Sequence, residues 1–298
     1  MIGALLLLLP GASSQPQDVF QFRVDVRRVY VDVFVAQRGN SLGNLTARNF
    51  EVYDEGVLQE VELVDVASVP QTFALLLDES GSISGEKREH LQEAVRSFAE
   101  RLSDDDELAV LSFSERTTLR KPLGFDRPED AATYEITGRG WTGLNDALFL
   151  ALSYLRTGNG RPILVAFTDG MDNASWIREE TVLESARAGE AVVYSVRADV
   201  GAQLAQVGGS LTPGGSAVRS SAMLEELARM SGGRTVEAAR LESIAKTFEE
   251  ILSEVSSRYL LSFSPRADGE PGWHRLRVDV KGVRDVEVRA RAGYFAPP

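Results

Sequence analysis

The sequence predicts an α/β protein, with a doubly wound, mostly parallel sheet and β-sandwich-like segments contributed by both termini. Three observations predict it. Apolar runs over residues 73–77 and 163–167 stop abruptly at polar residues, the pattern of strands buried on both faces. Stretches with apolar residues three and four apart lie between such runs, so strands alternate with helices and a parallel sheet follows. At both ends of the chain, apolar and polar residues instead alternate with period two.

In chain order, residues 22–35 alternate as a strand bounded by a turn at 38–43. Segments 50–53 and 57–64 flank Asp54-Glu-Gly56, a hairpin signal. The strand at 73–77 leads into a helix over 85–102, with Leu91, Ala94, Val95, Phe98, Ala99 and Leu102 on its buried face. A strand over 107–114, a helix over 144–155 and strands over 163–167 and 191–196 follow. Helices over 223–230 and 241–255 bracket a strand at 234–238, entered through Gly232-Gly233. The tail returns to strands at 259–264, 275–280 and 286–290. Residues 199–221 are rich in Gly, Ser and Ala and read as a solvent loop. The domain plan is a signal segment 1–14, an N-terminal β segment 20–67, an α/β domain 70–257 and a C-terminal β segment 258–298 packing against 20–67.

Composition narrows the function. With 32 basic against 44 acidic residues, the 298-residue chain carries a formal charge of −12, which argues against nucleic-acid binding. Arg275, Arg277, Arg284, Arg289 and Arg291 alternate with acidic and apolar residues and read as the solvent faces of strands. The chain has no cysteine, so disulfides, thiolate chemistry and zinc knuckles are excluded. The leucine run before Pro10-Gly11 reads as a secretory signal cleaved before Gln15, and is far short of the roughly 20 residues of a membrane span. The expectation is an exported protein, in the periplasm, on the cell surface or secreted, without a membrane span.

The chemistry gathers where the buried strands end. The first ends in Asp78-x-Ser80-x-Ser82, one carboxylate and two hydroxyls at alternate positions. Ligands bind at that end of such strands, where strand order reverses. The second ends in Thr168-Asp169-Gly170, and Thr142 sits in the loop entering the helix at 144. Asp78, Ser80, Ser82, Thr142 and Asp169 thus form an all-oxygen set suited to a hard cation, Mg²⁺ or Mn²⁺. Asp146 reads as orienting the Thr142 loop, and Asp172 as modulating the site or simply making its turn.

Other chemistries fit less well. Gly138-x-Gly140-x-x-Gly143 does not follow a strand in a compact βαβ unit, so a dinucleotide site is improbable. Ser84-x-x-Lys87 lacks the companion motifs of acyl enzymes. His90 lies between apolar helix positions and reads as a boundary residue, and Asp104-Asp-Asp106-Glu107 reads as a solvated loop.

Asp78-x-Ser80-x-Ser82, Thr142 with Asp146-Ala147, and Thr168-Asp169-Gly170 together resemble the metal-ion-dependent adhesion site of von Willebrand factor A domains. The resemblance implies that Ser80, Ser82 and Thr142 bind the cation directly and that Asp78 and Asp169 act largely through water. It also implies that an Asp or Glu of a protein partner supplies the remaining ligand. Residues 49–56, 259–265 and 293–295 look like the flanks of bacterial, acidobacterial-type VWFA-related proteins. Trp141 departs from the pattern, where a small residue precedes the threonine. The expected function is metal-dependent protein binding or adhesion, not catalysis. The alternatives are a metal-dependent hydrolase, which needs a general base the sequence does not offer, and a structural domain with an unused site.

Overall fold

The computed structural model describes residues 28–65, 69–80, 86–125, 140–198, 215–238, 243–265 and 271–296. The expected signal segment and Ser82 lie outside the described residues.

Six strands form the central sheet in the order β11-β10-β9-β6-β7-β8. They are β6 (Gln71–Asp78), β7 (Glu107–Phe113), β8 (Thr117–Lys121), β9 (Arg161–Thr168), β10 (Val192–Ala198) and β11 (Arg234–Ala238). Neighbours run parallel except β8, which turns back antiparallel on β7. The chain steps from β6 to β7 on one side, then returns to place β9 on the other. The crevice between the C-terminal ends of β6 and β9 is therefore the switch point of the sheet.

Alternation along the strands decides which helix covers which face. Phe73, Leu75 and Leu77 pack with α1 (Glu86–Glu100) and α5 (Ile244–Ser256), where Phe98 sits edge-on to Phe73 at 5.2 Å and to Phe248 at 5.8 Å. Ala74 and Leu76 face the other way, onto α2 (Leu144–Leu155), α3 (Glu179–Ala188) and α4 (Gly215–Ser231). Both faces of the sheet are dry, which is why its strands read as unbroken apolar runs.

The two termini build a second layered unit. β1 (Val29–Gln37) lies between β12 (Tyr259–Phe263) and β14 (Val286–Ala290), and β5 (Val61–Val64) extends that sheet beyond β12. The short β2 (Asn40–Ser41) pairs back on β1. The second sheet has the order β15-β13-β3-β4, joining β3 (Phe50–Asp54) and β4 (Val57–Gln59) to β13 (Gly272–Val280) and β15 (Gly293–Ala296). Val31, Val33, Phe50, Val52, Leu261 and Phe263 fill the space between the sheets.

Some sequence expectations change. Residues 215–221, expected in a solvent loop, begin α4, and β8 and α3 carried too few apolar residues to announce themselves. Asp106 and Glu107 are buried rather than solvated. Asp106 accepts from the backbone N–H of Gln71 at 2.8 Å and of Ser103 at 3.0 Å, and Glu107 accepts from Thr72 and Asn159. These carboxylates tie the N-terminal ends of β6 and β9 together. Arg289 and Arg291 also turn inward, with side chains 16% and 10% exposed, because their face of the tail packs on the α/β domain instead of meeting water.

Candidate metal centre

β6 delivers Asp78 to the switch point fully buried, and Ser80 follows it in the turn. One Asp78 oxygen accepts from the Ser80 backbone N–H at 2.8 Å and the other from the Thr168 hydroxyl at 2.9 Å, so the ends of β6 and β9 are tied directly. Among the described residues, Asp78 has no ion-pair partner. Burial, reinforced by the negative charge of Asp169, pushes its carboxyl up to about 6 despite those hydrogen bonds. Arg120 on β8 does not relieve it, being engaged by Glu79 at 2.8 Å and Ser112 at 2.7 Å.

Asp169 follows β9, half-buried, and accepts from the Met171 N–H at 3.0 Å. The next residue, Gly170, takes φ +79°, a left-handed conformation that favours glycine and turns the chain away from the strand end.

The third segment is held by backbone contacts. Thr142 donates its N–H to the Asn173 side chain at 2.7 Å, and its carbonyl accepts from Asn173 and Ala174 at 2.9 and 3.0 Å. Gly143 donates to the Ser114 carbonyl at 2.7 Å, and an added Cβ there would stand 3.3 Å from that same oxygen. Thr142 is thus buried and fixed at its backbone, while among the described residues its hydroxyl makes no hydrogen bond.

Asp146, in the first turn of α2, accepts from the backbone N–H groups of Trp176 and Ile177, the latter at 2.8 Å. It therefore fixes the loop after β9, and through Asn173 that loop fixes Thr142. Asp172 accepts from the Ser175 N–H at 3.2 Å and shapes the same turn. Asn173 and Ser175 escaped the sequence reading. Their signal was a run of turn-forming polar residues directly after a buried strand.

Among the described residues, no three His, Asp or Glu side chains converge as a ligand cluster. A cation held here must rely on hydroxyls, which suits a hard oxygen-seeking ion. A buried carboxylate with no counter-charge among the described residues, close enough to a second carboxylate to feel its charge, fits such an ion, and Thr142 carries a buried hydroxyl that is not committed to a hydrogen bond. At the rim, Trp141 and Trp176, 63% and 95% exposed, line an open cleft together with Glu115 and Arg116.

Residues 73–171 match the family model of the von Willebrand factor type A domain. Over these residues the α/β segment carries the pattern of a von Willebrand factor type A domain. Curated relatives include inter-alpha-trypsin inhibitor heavy chain H4 of Bos taurus, 30% identical over 105 residues, covering 33% of this chain and 12% of that protein. The corresponding heavy chain H3 of Homo sapiens is 29% identical over 133 residues, covering 40% of this chain and 15% of that protein. The chain thus matches only a small part of these relatives.

Among solved structures, a von Willebrand factor type A protein from Catenulispora acidiphila aligns with 93% of this chain and 76% of its own, at TM-score 0.51 and 14% identity. Proximal thread matrix protein 1 from the mussel byssus aligns with 74% of this chain and 51% of its own, at TM-score 0.52 and 15% identity. Another structure of that mussel protein, with a zinc-occupied MIDAS motif, covers 63% of this chain and 48% of its own, at TM-score 0.50 and 14% identity. At these identities the likeness is one of fold.

Proposed function

We propose that this von Willebrand factor A domain is a metal-dependent protein-binding module that grips an acidic residue of a partner through a Mg²⁺- or Mn²⁺-type ion. The observation that carries the reading is Asp78, buried at the switch point beside Asp169 and, among the described residues, without a basic partner. In this reading Ser80, Ser82 and Thr142 hold the ion and Asp78 and Asp169 reach it through water. The ion supplies positive charge and an open coordination position for a carboxylate.

The chain's own residues do the positioning. Asp78 fixes the Ser80 turn through its N–H and aligns the end of β9 through Thr168. Asp146, Asp172 and Asn173 hold the loop that presents Thr142. Trp141 and Trp176 offer rigid apolar surface beside the open position, the residue type most enriched at binding hot spots. This reading makes the protein a binding module instead of an enzyme, acting outside the cytoplasm as expected from its leader-like first residues. Among the described residues no helix is long and apolar enough to cross a membrane.

Mn²⁺ titration followed by electron paramagnetic resonance tests it. The free-ion signal is expected to fall with one saturable site, and acetate, standing in for the partner's carboxylate, to tighten binding. Failure of Mn²⁺ to bind even with acetate present contradicts the proposal.

A further inference from the structure

At the opposite end of the sheet lies a cavity of about 250 Å³ between the α/β domain and the sandwich. Its walls are mainly apolar, with Val64, Val69, Val192 and Leu260 among them, and Arg291 lines it too. Arg291 is pressed against the α/β domain because Gly232, at φ +81°, lets the backbone pass close by. A Cβ on Gly232 would sit 2.8 Å from the Arg291 nitrogen.

The charges around this cavity do not balance. Asp32, on its wall, is already shared by Arg161 and Arg258, each contacting one carboxylate oxygen. Arg291 is left with Glu190, whose side chain is 60% exposed and 3.4 Å away. The Arg291 side chain is only 10% exposed, and among the described residues its Nε–H has no hydrogen-bond partner. A buried guanidinium with an unmet donor is costly, and most native structures avoid one. Burial also pulls its affinity for the proton below the usual arginine value, although Glu190 opposes this.

We propose that this interdomain cavity binds a small aliphatic monocarboxylate, with the carboxylate paired to Arg291 and the tail against the valine and leucine walls. The planar guanidinium fork matches a carboxylate, and one negative charge suits one under-matched arginine. The apolar walls disfavour a bare inorganic anion. At about 30 Å³ per water-sized group, the volume holds roughly eight such groups, the heavy-atom count of hexanoate. The site is independent of the metal centre.

Thermal unfolding of the full chain at fixed ionic strength provides the test, with acetate, hexanoate, 1-hexanol and sulfate as probes. Hexanoate is expected to raise Tm saturably and more than acetate, while 1-hexanol and sulfate at equal concentration give no saturable rise. Arg291→Gln should weaken the hexanoate response by about tenfold or more, the loss of a charge-assisted pair. Val69→Phe, which fills the cavity from its half-buried rim and leaves Arg291 in place, should abolish it and serves if Arg291→Gln does not fold. An equal response from 1-hexanol, an unchanged response in either folded variant, or no saturable rise with hexanoate overturns the proposal.

Discussion

The two ends of the central sheet treat buried carboxylates in opposite ways. At the N-terminal end, Asp32 is gripped by Arg161 and Arg258. Glu254 on α5 meets Arg234 at 2.7 Å and Arg289 at 2.9 Å, and accepts from Tyr194 at 2.7 Å. Burial would raise both carboxyls, yet the arginines outweigh it and hold both below the ordinary carboxylate range. At the C-terminal end Asp78 is fully buried, has only hydroxyl and amide partners among the described residues, and moves up. One end neutralises itself from within the chain. The other has no arginine on Asp78 among the described residues, and in the proposed reading a cation from outside supplies the charge.

The N-terminal network also joins the two units, since Asp32 lies on β1 and Arg161 on β9. Arg258, fully buried just after α5, adds contacts to the Tyr194 hydroxyl at 3.1 Å and the Gly232 carbonyl at 2.9 Å.

The contrast is broken most forcefully at Asp32. Asp32→Ala strands the buried Arg161 and leaves the buried Arg258 with only its longer 3.6 Å pair to Glu254, and is expected to cost about 3–5 kcal/mol in chemical denaturation. Asp78→Asn keeps an acceptor for Ser80 and removes a poorly neutralised charge. It should leave the metal-free protein as stable or slightly more so, and a cost comparable to Asp32→Ala would erase the distinction.

Acid sharpens the same comparison. The folded pKa of Asp32 lies below its unfolded value of 3.8, so its contribution is present above that pH and fades as pH falls through the folded value. Unfolding free energy measured from pH 5 downward should therefore fall more steeply in the native chain than in Asp32→Asn.

At the other end, Asn173→Ala removes the acceptor that fixes the Thr142 N–H, a support rather than a ligand. Metal affinity in a Mn²⁺ titration should drop by about 10- to 100-fold. The smallest effect belongs to Trp176→Ala. Stability should stay within about 0.5 kcal/mol and metal affinity unchanged, because this side chain is nearly wholly exposed.

Much of the α/β layer was legible because its signals are local. The apolar run 73–77 and the three-and-four spacing on α1 are each contained in one element, and the oxygen-bearing residues at 78, 80, 142 and 169 sit at strand ends or helix entries. The junction was not legible. Arg289 lies between Val288 and Ala290 in a period-two pattern, which says that it faces away from its neighbours but not what covers that face. Only the docking of β14 against the α/β domain makes it interior. Glu107 was misread for the same reason, since its partners Thr72 and Asn159 are distant in sequence. Asp146 was expected to orient the loop carrying Thr142, but the loop it grips directly is the one after β9.

The central claim is that the C-terminal end of the sheet requires an external cation. Calorimetric titration of Mg²⁺ into metal-stripped protein, alongside Thr142→Ala and Asp32→Asn at a pH where all are folded, tests it most directly. The account predicts one saturable site in the native chain, retained in Asp32→Asn and lost in Thr142→Ala. Binding that survives in Thr142→Ala, or that disappears with Asp32, would contradict it.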